Sequence, residues 1–118
     1  MAKPSPTSRS LAALRTMGFE AQIVERWNPH SRTRNDLFGC IDIVAMKPGV
    51  GVLGIQACAG ASHAARRDKI KSEPLMRTWI ESGGRLELWS WAKQGERGKR
   101  KLWTLRREEL TTDDLATE

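Results

Sequence analysis

The alternation of apolar and polar positions divides the chain into short, regular stretches. Ser8 or Ser10 can cap a helix that carries Leu11, Leu14 and Met17 on one stripe, and Gly18 stops it. Residues 19–27 read as a strand, and the polar run 28–36 as a loop. Two clear strand signals follow, CIDIVAM at 40–46 and VLGIQAC at 52–58. Between them Lys47-Pro48-Gly49-Val50-Gly51 has the proline and glycine content of a hairpin turn. Residues 62–82 carry a helical period, but a proline cannot occupy a helix interior. Two helices are therefore expected, the second capped by Ser72 with Pro74 in its first turn. Leu75, Met76, Trp79 and Ile80 share one of its sides, and Gly83-Gly84 ends it. Residues 85–92 and 99–105 make another hairpin around 94–98, and a short capped turn is expected near Thr112. The order α-β-β-β-α-β-β predicts one α/β domain over residues 8–106, with a central mixed sheet flanked by helices. Residues 1–7, with two prolines, are predicted as a disordered lead-in, and residues 107–118 as an acidic C-terminal tail.

Period two gives the first hairpin its chemistry. Side chains two apart on a strand share a face, so Cys40, Asp42 and Val44 point one way. If Met46 pairs with Val52, Asp42 falls opposite Gln56 and Cys40 opposite Cys58; a slip of one residue would separate them. An acid within an apolar strand is costly unless it has a partner. Mg²⁺ or Mn²⁺ is a natural one, and Asp42, the Gln56 amide oxygen and the Ala57 carbonyl offer three oxygens. Such an ion lowers the pKa of water and neutralises charge on a phosphodiester.

Composition bears on partner and setting. With 20 Lys and Arg against 14 Asp and Glu the chain is at +6, which favours polyanions. No stretch is apolar enough to be expected to cross a membrane. The first ten residues hold no apolar run of the kind a secretory signal needs, and two separated cysteines are too few for a disulfide scaffold. A reducing, cytoplasmic setting is the expectation. The run 28–36 contributes Arg32 and Arg34, expected on phosphates, with Asp36 beside the site or shaping the turn. Residues 62–71 open a basic helix from which Arg66, Arg67 and Lys69 are expected to face DNA.

The run Phe38-Gly39-Cys40-Ile41-Asp42-Ile43-Val44-Ala45, followed by Gln56-Ala57-Cys58, resembles the PD-(D/E)XK nuclease superfamily, and within it the archaeal Holliday-junction resolvases. The resemblance spans roughly residues 8–106. It implies a restriction-endonuclease-like core, an Asp42 that binds Mg²⁺ or Mn²⁺, and a catalytic tripeptide at 56–58. Gln56 stands where the family has an acid, and Cys58 where it has a lysine. The first helix has no glutamate of the kind resolvases use as a further ligand; Glu20 and Glu25 come later. Lys69, Arg66, Arg67 or His63 could supply a compensating base.

The expected function is a metal-dependent endonuclease for branched or duplex DNA, acting as a homodimer, with no small-molecule cofactor. The alternatives are a catalytically inactive DNA-binding module of the same fold, or a protein-docking part of a larger assembly. Blander roles exist for single residues: Asp42 paired with an arginine, Gln56 as a cross-strand hydrogen-bonding group, Cys58 as a small buried hydrophobe, His30 and His63 as surface groups. Trp79 reads as core. Trp89 and Trp91 share one strand face, with Trp103 joining them; that face covers a homodimer interface or packs under the tail.

Overall fold

The computed structural model describes residues 4–115, so residues 1–3 of the expected lead-in and 116–118 of the expected tail lie outside it. Helix α1 (Pro6–Thr16) starts earlier than expected because Ser5, rather than Ser8 or Ser10, caps it. The Ser5 hydroxyl accepts the Ser8 N–H at 3.1 Å, and the Ser8 hydroxyl accepts the Ser5 N–H at 2.8 Å. Pro6 follows, where its missing N–H costs nothing. Ser10 is instead buried, donating to the Pro6 carbonyl and accepting from the Trp91 indole.

The single strand expected at 19–27 is two strands in different sheets. Strand β1 (Glu20–Ile23) joins the main sheet, while β2 (Arg26–Asn28) leaves it and pairs with β3 (Thr33–Asn35) as a separate antiparallel ribbon. The stretch expected to be a loop is thus mostly this ribbon.

The main sheet adds β4 (Ile43–Lys47), β5 (Gly51–Ala59), β6 (Arg85–Gln94) and β7 (Leu102–Leu110), in the order β1-β4-β5-β6-β7. Only β5 and β6 run parallel, joined through helices α2 (His63–Ser72) and α3 (Pro74–Glu81), so the sheet is mixed. The two helices divide at Pro74, with Glu73 rather than Ser72 as the cap of the second. Leu75 is exposed, whereas Met76 on the same helix is fully buried. Strand β7 runs to Leu110, so the first residues of the expected tail belong to the sheet.

Alternation along β5 and β6 makes two cores. Leu53, Ile55 and Trp89 pack with Leu14 and Phe19 under α1. Cys58, Leu86 and Leu88 pack with Ile70 and Met76 under α2 and α3. On the tryptophan face, expected to meet a second copy or to pack under the tail, α1 buries Trp89, while Trp103 stays 45% exposed. Trp91 bonds Ser10, and the Arg9 guanidinium lies 3.9 Å over the Trp103 ring. Among the described residues no helix is long and apolar enough to cross a membrane.

Candidate functional site

The turn at Lys47–Val50 sets the β4–β5 register, Met46 opposite Val52 and Ile43 opposite Ile55. One step further, Asp42 lies just before β4 with its backbone held on both sides. Its N–H donates to the Ile55 carbonyl and its carbonyl accepts from Val24, both at 2.8 Å. Its side chain meets Gln56, as the alternation predicts: the Gln56 Nε2 and the Ala57 N–H both donate to Asp42 Oδ2 at 2.8 Å. Asp42 and Gln56 are buried, at 3% and 2% exposure.

Two further acids close on this pair. The ribbon pairs Arg26 with Asn35, so the next step of the same register places Glu25 opposite Asp36 at its base. Carboxylate oxygens of Glu25, Asp36 and Asp42 lie within 4.8 Å of one another. Sequence reasoning left Glu25 out of the site. The usable signal was Asn28-Pro29, a turn-initiating pair, which folds 26–35 back on itself and brings 25 to 36. Between Asp36 and Asp42 the chain turns through Phe38 (φ 52°) and Gly39 (φ 84°). A positive φ on a phenylalanine is strained, and such strain collects at functional sites.

The electrostatics are unfavourable as they stand. Burial pushes the Asp42 carboxyl up to about 8, and a hydrogen bond with Asp36 adds to the rise, while the Ala57 N–H opposes it. Lys69 reaches Asp36 and Arg34 reaches Glu25, but among the described residues no basic side chain forms an ion pair with Asp42, whose ionisation is the costly one. Gln56 Oε1 is buried and has no hydrogen-bond partner. An unmet buried acceptor is itself costly, by about 1–3 kcal/mol. In an extended strand the N–H and C=O of one residue leave on the same side, so the Ala57 carbonyl faces the same gap as its N–H. Three acids and a spare amide oxygen form an all-oxygen donor set of the kind Mg²⁺ or Mn²⁺ takes.

Asp42, Gln56 and Ala57 line an open cleft of ≈ 510 Å³ together with Glu25, Asp36, Arg34, Arg66, Lys69 and the start of α1. The Lys69 Nζ donates to Asp36 Oδ2 at 3.1 Å, and Arg34 reaches Glu25 at 3.4 Å. Of the residues expected to act here, Asp42, Gln56, Ala57, Cys58, Lys69, Arg34 and Arg66 are therefore gathered at one place. Arg32 lies on the exposed ribbon outside the cleft lining, with φ 53°. Arg67 is held by Glu108 at 2.6 Å and by Asp114 at 3.5 Å, and it does not line the cleft. Cys58 and Cys40 are free, buried thiols. Burial raises the Cys58 pKa against the pull of Arg66, and it pushes Cys40 up to about 11.

His63, a candidate base and otherwise a surface residue by sequence, is neither free nor exposed. Its Nδ1 meets Ser90 Oγ at 2.7 Å and its Nε2 meets Glu108 at 2.8 Å. It is 3% exposed and ties the start of α2 to β6 and β7. Compared with models of known protein families, with characterised proteins and with solved structures, the chain matches none.

Proposed function

We propose that this chain is a metal-dependent endonuclease acting on DNA, with the restriction-endonuclease-like arrangement of its core. One observation carries the reading: carboxylates of Glu25, Asp36 and Asp42 converge within 4.8 Å beside the orphaned Gln56 oxygen, in a cleft that also holds Lys69, Arg66 and Arg34. Glu25, Asp36, Asp42 and Gln56 would hold Mg²⁺ or Mn²⁺, with the Ala57 carbonyl in reach. The ion supplies Lewis-acid stabilisation of charge on a phosphodiester and acidifies water.

The remaining work falls to the chain itself. Cys58 is a buried neutral thiol in the place where the resembled family has a lysine. Lys69, brought in by α2 and held against Asp36, offers an ammonium to the same cleft. Arg66 and Arg34 add positive charge for the flanking phosphates. Ser5, Pro6 and Thr7 put the N-terminal, positive end of the 11-residue α1 on the cleft wall, which also favours an anion. A homodimer belongs to the same proposal. Exposed Met46 pairs with exposed Val52, which shares a groove with Trp79, and the Phe38 ring lies 6.3 Å from Trp79.

Cleavage of junction, flap and duplex DNA with and without Mn²⁺ tests the reading. Metal-dependent nicking that Asp42→Ala abolishes supports it; no cleavage of any of the three substrates overturns it. The buried Cys58 favours a second reading, a DNA-binding module without chemistry. Gain of cleavage in the Gln56→Glu, Cys58→Lys double variant of an inert wild type would select that one.

A further inference from the structure

The ribbon that delivers Glu25 and Asp36 also carries an unexplained aromatic. Trp27 is 58% exposed, and among the described residues no ring or cation stacks on it. Its cross-strand partner is Arg34, itself largely exposed. Side chains alternate along a strand, so Trp27 and Arg34 share a ribbon face with Glu25 and Asp36. Residues two apart on a strand are about 7 Å apart, which sets the indole one or two nucleotide steps from the three carboxylates. Residues 26–35 contain Arg26, Arg32 and Arg34 and no acid, so this arm suits a polyanion rather than an average protein surface.

We infer that Trp27 is a stacking platform for an unpaired base of a DNA strand whose neighbouring phosphate lies at the Glu25–Asp36–Asp42 cluster, with Arg34 on the adjoining phosphate. The inference rests on the nuclease reading above and narrows its substrate to DNA with at least one unpaired nucleotide at the site. The physical reason is access. Inside a continuous duplex both faces of a base are covered by its neighbours, whereas an unpaired base exposes a face that an indole can cover.

The test compares wild type, Trp27→Ala and Trp27→Phe, with Trp103→Ala, an exposed tryptophan of β7 outside the cleft lining, as a control. Affinity is measured by fluorescence anisotropy for a short labelled single strand and for the same sequence as a blunt duplex, in Ca²⁺. Trp27→Ala is expected to lower the ratio of single-strand to duplex affinity by roughly 5- to 100-fold, as loss of one stacked base would. Trp27→Phe keeps most of the ratio, and Trp103→Ala leaves it alone. An unchanged ratio in Trp27→Ala, an equal loss in Trp27→Phe, or wild type that does not bind the single strand overturns the inference. So does a variant whose only change is a lower sedimentation coefficient, which would assign Trp27 to contact with a second copy. If wild type still nicks duplex DNA in Mn²⁺ in any of these cases, the nuclease reading stands and only the platform falls. If wild type neither binds nor cuts any DNA, both fall.

Discussion

Replacing Asp42 with asparagine should stabilise the metal-free protein at pH 8 and remove its response to metal. Both donors to Asp42, the Gln56 amide and the Ala57 N–H, go to the same oxygen, Oδ2. An asparagine oxygen can keep both, and its NH₂ then faces Asp36 where a carboxyl proton would otherwise be needed. In wild type, burial and the neighbouring Asp36 raise the folded carboxyl to about 8 from an ordinary 3.8. Between those values the folded state holds a proton that the unfolded chain has released. Stability from this group is therefore highest in acid and is lost as pH rises through the window, with a ceiling of about 1.4 kcal/mol per pH unit for one proton. Urea denaturation in EDTA at pH 5, 6, 7 and 8 reads this as a falling midpoint. Asp42→Asn, subtracted from wild type, isolates the slope of Asp42 together with the Asp36 carboxyl hydrogen-bonded to it. Adding Mn²⁺ at about 100 times its Kd should restore about 2.7 kcal/mol to wild type and nothing to the variant. A variant less stable than wild type at pH 8 without metal would show Asp42 to be an ionised structural carboxylate. Full metal stabilisation of the variant would refute the donor set.

Three further substitutions separate chemistry from scaffold. Lys69→Ala should slow DNA cleavage by about 10²-fold or more while Mn²⁺ affinity, read by calorimetry, is kept or rises, because a cation beside Asp36 has gone. His63→Ala strips hydrogen bonds from buried Ser90 and from Glu108, so its urea midpoint should fall by the equivalent of about 1–3 kcal/mol with metal binding intact. Gly54→Ala would place a methyl group 2.7 Å from Ile41 and 3.1 Å from the Trp79 ring, and overpacking of about 1–3 kcal/mol should lower the thermal midpoint without altering metal affinity.

Much of this was readable because it depends on period and turn chemistry. The β4–β5 register follows from a turn at Lys47–Val50 and two apolar strands, and that register alone put Asp42 against Gln56. Trp89 and Leu88 were separable to opposite faces by alternation, and Pro74 divided the helices. What was not readable depends on distant partners. Nothing local breaks the strand near Val24; the chain leaves the sheet where Val24 makes its bond to the Asp42 carbonyl, and the polar ribbon has no apolar alternation to announce it. Likewise, a histidine at a helix start looks like a surface group. Its burial comes from Ser90 and Glu108, 27 and 45 residues away.

Two buried polar groupings in this fold invite the same functional guess, and satisfaction tells them apart. Around His63 each ring nitrogen has its partner, Ser90 or Glu108, and Arg67 in turn holds Glu108 below its ordinary pKa despite partial burial. A network that closes on itself needs nothing further and rigidifies the junction of α2 with the sheet. Around Asp42 the same polar content is left open: one carboxyl is pushed towards its neutral form, an amide oxygen lacks a donor, and a phenylalanine sits at positive φ in the turn that aims Asp36 and Asp42. The first two oppose folding on the wall of one cleft, and the third lies in the turn that joins Asp36 to Asp42. The raised Asp42 carboxyl and the unmet Gln56 oxygen lie side by side on the same cleft wall, where one bound ligand can relieve both. A divalent ion would relieve the first two at once, since it favours ionised Asp42 and accepts the spare Gln56 oxygen as a ligand. The open grouping is therefore the one assigned a ligand, and the closed one is assigned to the scaffold.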